Sequence, residues 1–103
     1  MSSREIDSRR RLDPLQVRKL LSRVLRSGAV TFCRHVRDAM EDDDLTEPDM
    51  VNILRCGTIR EGELENGSWR YRVETDRMCA VITFLGGSEV VIVTAWRSRA
   101  RGA

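Results

Sequence analysis

The chain has 103 residues, eighteen basic and sixteen acidic side chains and a formal net charge of +2. That length allows one domain with one modest core and excludes a second folding unit. No apolar run is long enough to span a bilayer or to act as an export signal, and Cys33, Cys56 and Cys79 are odd in number and widely spread, which argues against a disulfide framework; a soluble protein of a reducing, cytoplasmic compartment is expected.

The charge is unevenly placed. Residues 1–28 hold eight basic and three acidic side chains, residues 29–96 seven and thirteen, and residues 97–103 three and none. Basic ends around an acidic middle suit an anionic partner, and they equally suit ordinary solubility. Only Lys19 among the basic residues is a lysine. This bias fits recognition of phosphates by forked guanidiniums, and it also fits a coding sequence rich in G and C.

Residues 1–12 are polar and without apolar periodicity and are expected to form a disordered arm ahead of a single domain over residues 13–97. Asp13-Pro14 reads as a cap followed by proline at the first helical position. Leu15, Val17, Leu20, Leu21, Val24 and Leu25 then fall on one helical stripe that Gly28 ends, with Arg18, Lys19, Arg23 and Arg26 making the outer surface basic. Residues 29–32 lead in extended form to a second helix over residues 34–41, with Val36, Ala39 and Met40 inward. The acids from Glu41 to Asp44 end it, because negative charge is unfavourable at a helix C-terminus. Thr46 caps a third helix that has Pro48 in its first turn, Asp49 as the capping-box acid and Cys56-Gly57 at its close.

Four extended segments follow, at residues 59–64, 68–74, 77–85 and 89–96, separated by turn signals of which Asn66-Gly67 is the strongest. The fold class expected is α+β, with N-terminal helices packed on a four-stranded antiparallel meander; residues 98–103 form a basic tail. Alternation places Trp69, Tyr71 and Val73 on one face of the second strand and Arg70 and Arg72 on the other. The third strand is apolar on both faces, Met78, Ala80, Ile82 and Phe84 against Cys79, Val81 and Thr83, and is expected to be central and covered on both sides, at least in part.

The segments Thr31-Phe32-Cys33-Arg34-His35-Val36-Arg37-Asp38-Ala39-Met40 and Leu45-Thr46-Glu47-Pro48-Asp49-Met50-Val51-Asn52-Ile53-Leu54, followed by Gly57, resemble a small bacterial family of unknown function. That family is grouped with the RelE-like and motility quorum-sensing regulator (MqsR) toxins. Trp69-Arg70-Tyr71-Arg72-Val73, Met78-Cys79-Ala80-Val81-Ile82-Thr83 and Val90-Val91-Ile92-Val93-Thr94-Ala95-Trp96 resemble its last strands, and Val17-Arg18-Lys19-Leu20-Leu21 resembles the opening helix of the MqsR toxins. The likeness spans residues 15–97 and rests on the order of elements. It implies a RelE-like ribonuclease fold, a toxin of a bacterial type II toxin–antitoxin system that cleaves mRNA without metal or other cofactor, and a cognate antitoxin of zinc-finger or helix-turn-helix type. Where the MqsR toxins place lysine, glutamine and tyrosine in the cleft, this chain has Arg70 in the second strand and Trp96-Arg97 at the end of the fourth.

Metal-free RNA cleavage needs a base near the 2′-hydroxyl, an acid near the leaving 5′-oxygen and fixed positive charge around the phosphorane. Histidine is the side-chain type that titrates nearest neutrality, which makes His35 the candidate acid or base. Arg70 and Arg72 are candidates to cradle the phosphate. Trp96 is a candidate for stacking on a base, and Arg97 and Lys19 for holding RNA. Each has a structural alternative: His35 as a surface or capping residue, Arg70 and Arg72 in cross-strand pairs with Glu61 or Glu63, and Trp96 in a core or a partner interface. The chain is then a catalytically inactive protein- or nucleic-acid-binding module of the same fold. Cys33-x-His35 is too close for paired zinc-ligand spacing, the carboxylates at 41–44 lack calcium-loop spacing, and Gly86-Gly87 starts no helix that would cradle a phosphate. The six acids of residues 41–49 are expected to repel RNA and to offer a basic antitoxin a docking surface.

Overall fold

The structure, a computed structural model, describes residues 10–98. Two of its three helices begin in reciprocal capping boxes. Asp13 accepts from the Gln16 backbone N–H while the Gln16 side chain accepts from that of Asp13, starting α1 (Pro14–Ser27). Thr46 and Asp49 do the same for α3 (Glu47–Cys56). The intervening α2 (Arg34–Asp42) has no side-chain cap; its N-cap residue Cys33 instead donates its thiol to the Val93 carbonyl, 3.1 Å away, and so ties the helix start to the sheet.

The sheet has six strands among the described residues, and it is mixed. They are β1 (Ala29–Phe32), β2 (Thr58–Ile59), β3 (Glu63–Glu65), β4 (Ser68–Glu74), β5 (Met78–Leu85) and β6 (Glu89–Arg97), in the order β1-β6-β5-β4-β2, with β3 also paired to β4. The α+β class holds, and the expected four-stranded meander is corrected in two places. Residues 29–32 are no mere approach to a helix: they pair parallel with β6, Val30 opposite Val90. Gly28 makes this possible, because a Cβ there would stand 2.3 Å from the Ser88 carbonyl oxygen, which accepts the Ala29 N–H. The segment expected as one strand at 59–64 is two. Arg60 N–H still bonds to the Arg72 carbonyl, but Gly62 then passes so near Tyr71 that a Cβ would lie 2.7 Å from its ring, and the ladder resumes only at Glu63. Asn66 and Gly67, at φ 53° and 82°, make the left-handed turn that a tight hairpin demands.

The three helices bury Val17, Leu21, Val24, Val36, Met50, Ile53 and Leu54 against Tyr71, Val73, Ile82, Phe84 and Ile92 of the sheet, all in one core. Leu12 belongs to it as well and donates its N–H to the buried Tyr71 hydroxyl at 2.9 Å, so the packed chain begins ahead of Asp13. Residues 1–9 of the expected arm and 99–103 of the expected tail lie outside the described residues. Leu15, on the apolar stripe by spacing, is instead 65% exposed. Arg18, expected on the basic outer surface, reaches to α3 and donates to the carbonyls of Leu54 (2.8 Å) and Gly57 (2.6 Å), satisfying the open end of that helix. Among the described residues no helix is long and apolar enough to cross a membrane.

Strand β5 is central, as its apolar character predicted, but the helices cover only one of its faces. Among the described residues the opposite face of the sheet carries no helix.

Candidate functional site

Alternation from the buried Tyr71 and Val73 turns Arg70, Arg72 and Glu74 of β4 onto the uncovered face. Cys79, Val81 and Thr83 of β5 share it. On β6 the alternation is interrupted: Ile82 pairs with Ile92 but Val81 with Thr94, leaving Val93 as an extra residue in a β-bulge. Before the bulge the even residues Val90 and Ile92 face the core; after it Ala95 does, and Thr94 and Trp96 turn outward. Regular alternation would drive Trp96 into the core. Instead its ring meets the Arg72 guanidinium, 5.4 Å from the ring centroid, across the intervening strand.

Glu74 is the hub of the charges here. Its Oε1 accepts from Arg60 Nε at 3.0 Å, and its Oε2 lies 3.7 Å from Arg72 Nη1. Cys79, 2% exposed, has its Sγ 3.8 Å from the same Oε2. Burial first, and the Glu74 carboxylate second, push that thiol up to about 11, so Cys79 is a protonated packing group and no nucleophile at neutral pH. Beside the cluster lies a groove of about 580 Å³ lined by Arg60, Glu61, Glu63, Glu65, Arg70, Arg72, Glu74 and Val81. Arg60 and Glu74 also border a second depression of about 450 Å³ on the side of Asn52, Cys56 and Asp76. Arg70 is paired across strands with Glu65 at 3.7 Å, and its Nε is enclosed without a hydrogen-bond partner. Cross-strand pairing of the arginines is thus present, but with Glu65 and, within β4, Glu74 in place of Glu61 and Glu63. Glu61 bonds to Arg11.

The six residues singled out from the sequence divide into two groups. Arg70, Arg72 and Trp96 share the uncovered face. His35 does not join them: it is exposed in the first turn of α2, whose Val36 and Met40 enter the core on the helical side. β1, which leads into α2, stands three strands from β4, about 14 Å at ordinary strand spacing. Lys19 is exposed on α1, also in the helical layer. Arg97 follows Ala95 to the helical side, where its Nε and Nη2 donate to the carbonyls of Asp43 (3.1 Å) and Asp44 (2.9 Å) and its N–H donates to the Asp43 carboxylate at 2.7 Å. Arg97 therefore closes the C-terminal end of α2, and part of the acidic run is occupied by the chain's own arginine. Among the described residues no three His, Cys, Asp or Glu side chains gather as a metal-ligand group.

Comparison with known proteins gave no match to a family model, a curated protein or a solved structure. The functional reading therefore rests on this chain's own residues. Two of them were missed by sequence reasoning. Glu74 was legible as the third member of the alternating series Arg70, Arg72, Glu74, but it stands where the strand gives way to a turn. Arg60 was hidden by register: a regular hairpin at Asn66-Gly67 sets it opposite Val73, and only the one-residue slip at Gly62 sets it opposite Arg72 and beside Glu74.

Proposed function

We propose that this chain is an endoribonuclease of the toxin class that its sequence resembles, acting on RNA through the uncovered sheet face. The observation that carries this reading is the array on that face: Arg60, Arg70 and Arg72 line one groove, and Arg72 also reaches Trp96. Guanidiniums fixed by a strand and its neighbour present forks to phosphate oxygens where charge develops during cleavage. An aromatic ring at the same place offers a surface for a base. The reaction class, a metal-independent cleavage, and the type of partner, a cognate antitoxin, are what the resemblance of the sequence to RelE-like toxins implies. The site belongs to the strands, and His35 is not needed for it.

A second reading has an observation of its own. Four glutamates accompany the three arginines in the groove, and a face of mixed charge with an aromatic residue also suits a protein partner without catalysis. Induced expression separates the two. The ribonuclease reading expects growth arrest and loss of intact mRNA, abolished by R72A and retained in H35A. Healthy cells with intact mRNA on expression of the folded wild-type chain leave the binding module.

A further inference from the structure

We propose that Glu74 is the general base of this site, taking the proton from the RNA 2′-hydroxyl; the inference rests on the ribonuclease reading. Four glutamates line the groove, and Glu74 differs from the others in how it is held. Its side chain is 26% exposed, against 73% for Glu61 and 62% for Glu65. Its two oxygens meet different arginines, Arg60 just past the end of β2 at 3.0 Å and Arg72 of β4 at 3.7 Å. It borders both depressions, so a strand of RNA crossing from one to the other passes over it. A carboxylate held in one place beside two phosphate-binding groups is what base catalysis of transesterification requires. Glu74 and Arg72 are two residues apart on one face of β4, roughly 6.6 Å between Cα atoms, close enough to address the ribose and the phosphate of one nucleotide.

In this step the 2′-hydroxyl gives its proton to the Glu74 carboxylate as its oxygen bonds to phosphorus. The P–O5′ bond breaks, the 5′-oxygen leaves with the bonding pair and takes a proton from solvent water, and the products are a 2′,3′-cyclic phosphate and a 5′-hydroxyl. Arg60 and Arg72 lose part of their pairing to Glu74 and gain the phosphate oxygens. Trp96, already a surface for the Arg72 guanidinium, receives the adjoining base when Arg72 turns to the phosphate.

The test measures cleavage and binding of a mixed-sequence RNA oligonucleotide by the purified chain as a function of pH. The groups facing Glu74 are Arg60 on β2's side, Arg72 on β4 and Cys79 on β5, with Asp76 and Cys56 bordering the adjoining depression. E74Q should lower kcat by about 100-fold or more with KM within threefold of wild type, and should abolish the acid-side limb of the rate profile. Added formate should restore part of the activity of E74A. E74D, which keeps the carboxylate if E74Q does not fold, should retain the acid-side limb at reduced kcat. An E74Q rate within tenfold of wild type, or an acid-side limb that survives in E74Q, overturns the assignment and leaves the ribonuclease reading standing. A wild-type chain that binds or ignores RNA but never cuts it overturns both.

Discussion

Cys79 and Tyr71 show how single residues tie the sheet's two faces to pH. Burial holds the Tyr71 hydroxyl above its ordinary value, although the Leu12 N–H that it accepts works against this. The Cys79 thiol is pushed up to about 11 from 9.0. A group that holds its proton more tightly when folded stabilises the fold at pH values below its unfolded pKa, and this contribution is lost as pH rises toward the folded value. The melting temperature should therefore fall as pH rises from 9 to 11, and C79A should fall less steeply over that window in thermal melts followed by circular dichroism. Equal slopes in the two proteins would show that the thiol makes no such contribution. Tyr71 was readable as buried from its alternation with Arg70 and Arg72, and Cys79 from its place in a strand that is apolar on both faces. The groups around Cys79 were not, because Arg72 and Glu74 come from β4 and Trp96 from β6, on either side of β5.

At the scale of elements, the bulge in β6 decides what the uncovered face presents. Val93 is the extra residue, and deleting it joins Ile92 directly to Thr94, a regular ladder in which Ala95 still faces the core and Trp96 still faces outward. In a W69F background, the deletion should leave the Trp96 fluorescence maximum where it is, with the ring still on the outer face beside Arg72. A shift to shorter wavelength would mean that the strand re-forms a bulge elsewhere ahead of Trp96 and turns the ring inward. Helix boundaries were legible because caps are local: Asp13-Pro14 and Thr46-x-x-Asp49 fix two helix starts with their own side chains. β1 was legible only as extended chain, since its partner β6 lies 60 residues away in sequence at Val30 and Val90. The bulge leaves no mark on hydropathy, as the run Val90-Val91-Ile92-Val93 is apolar at every position.

For the whole molecule, the distribution of charge is the property most open to test. The formal charge is +2, yet the groove on the uncovered face carries four carboxylates to three guanidiniums. Replacing Glu61, Glu63 and Glu65 together by glutamine removes acid from the rim and spares the Arg60–Glu74–Arg72 cluster. If the face receives RNA, affinity for a single-stranded oligonucleotide at low salt should rise severalfold and the gain should shrink as salt is added. A fall in affinity would mean that these carboxylates organise the arginines, and no change would place the RNA elsewhere.

The sequence by itself determined the class of fold, the three helices and the caps of two of them, the hairpin at Asn66-Gly67 and the division of β4 into an apolar and an arginine-bearing face. All of these depend on neighbours within a few residues or on a simple period. Only the tertiary structure decided which candidates meet. It set Arg72 against Trp96 and Arg60 against Glu74 through strand order and a bulge, gave Arg97 to the end of α2, and left His35 and Lys19 in the helical layer. The physical reason is that a strand's faces are fixed locally, whereas its neighbours, and hence the groups its side chains touch, are chosen by how the whole core closes.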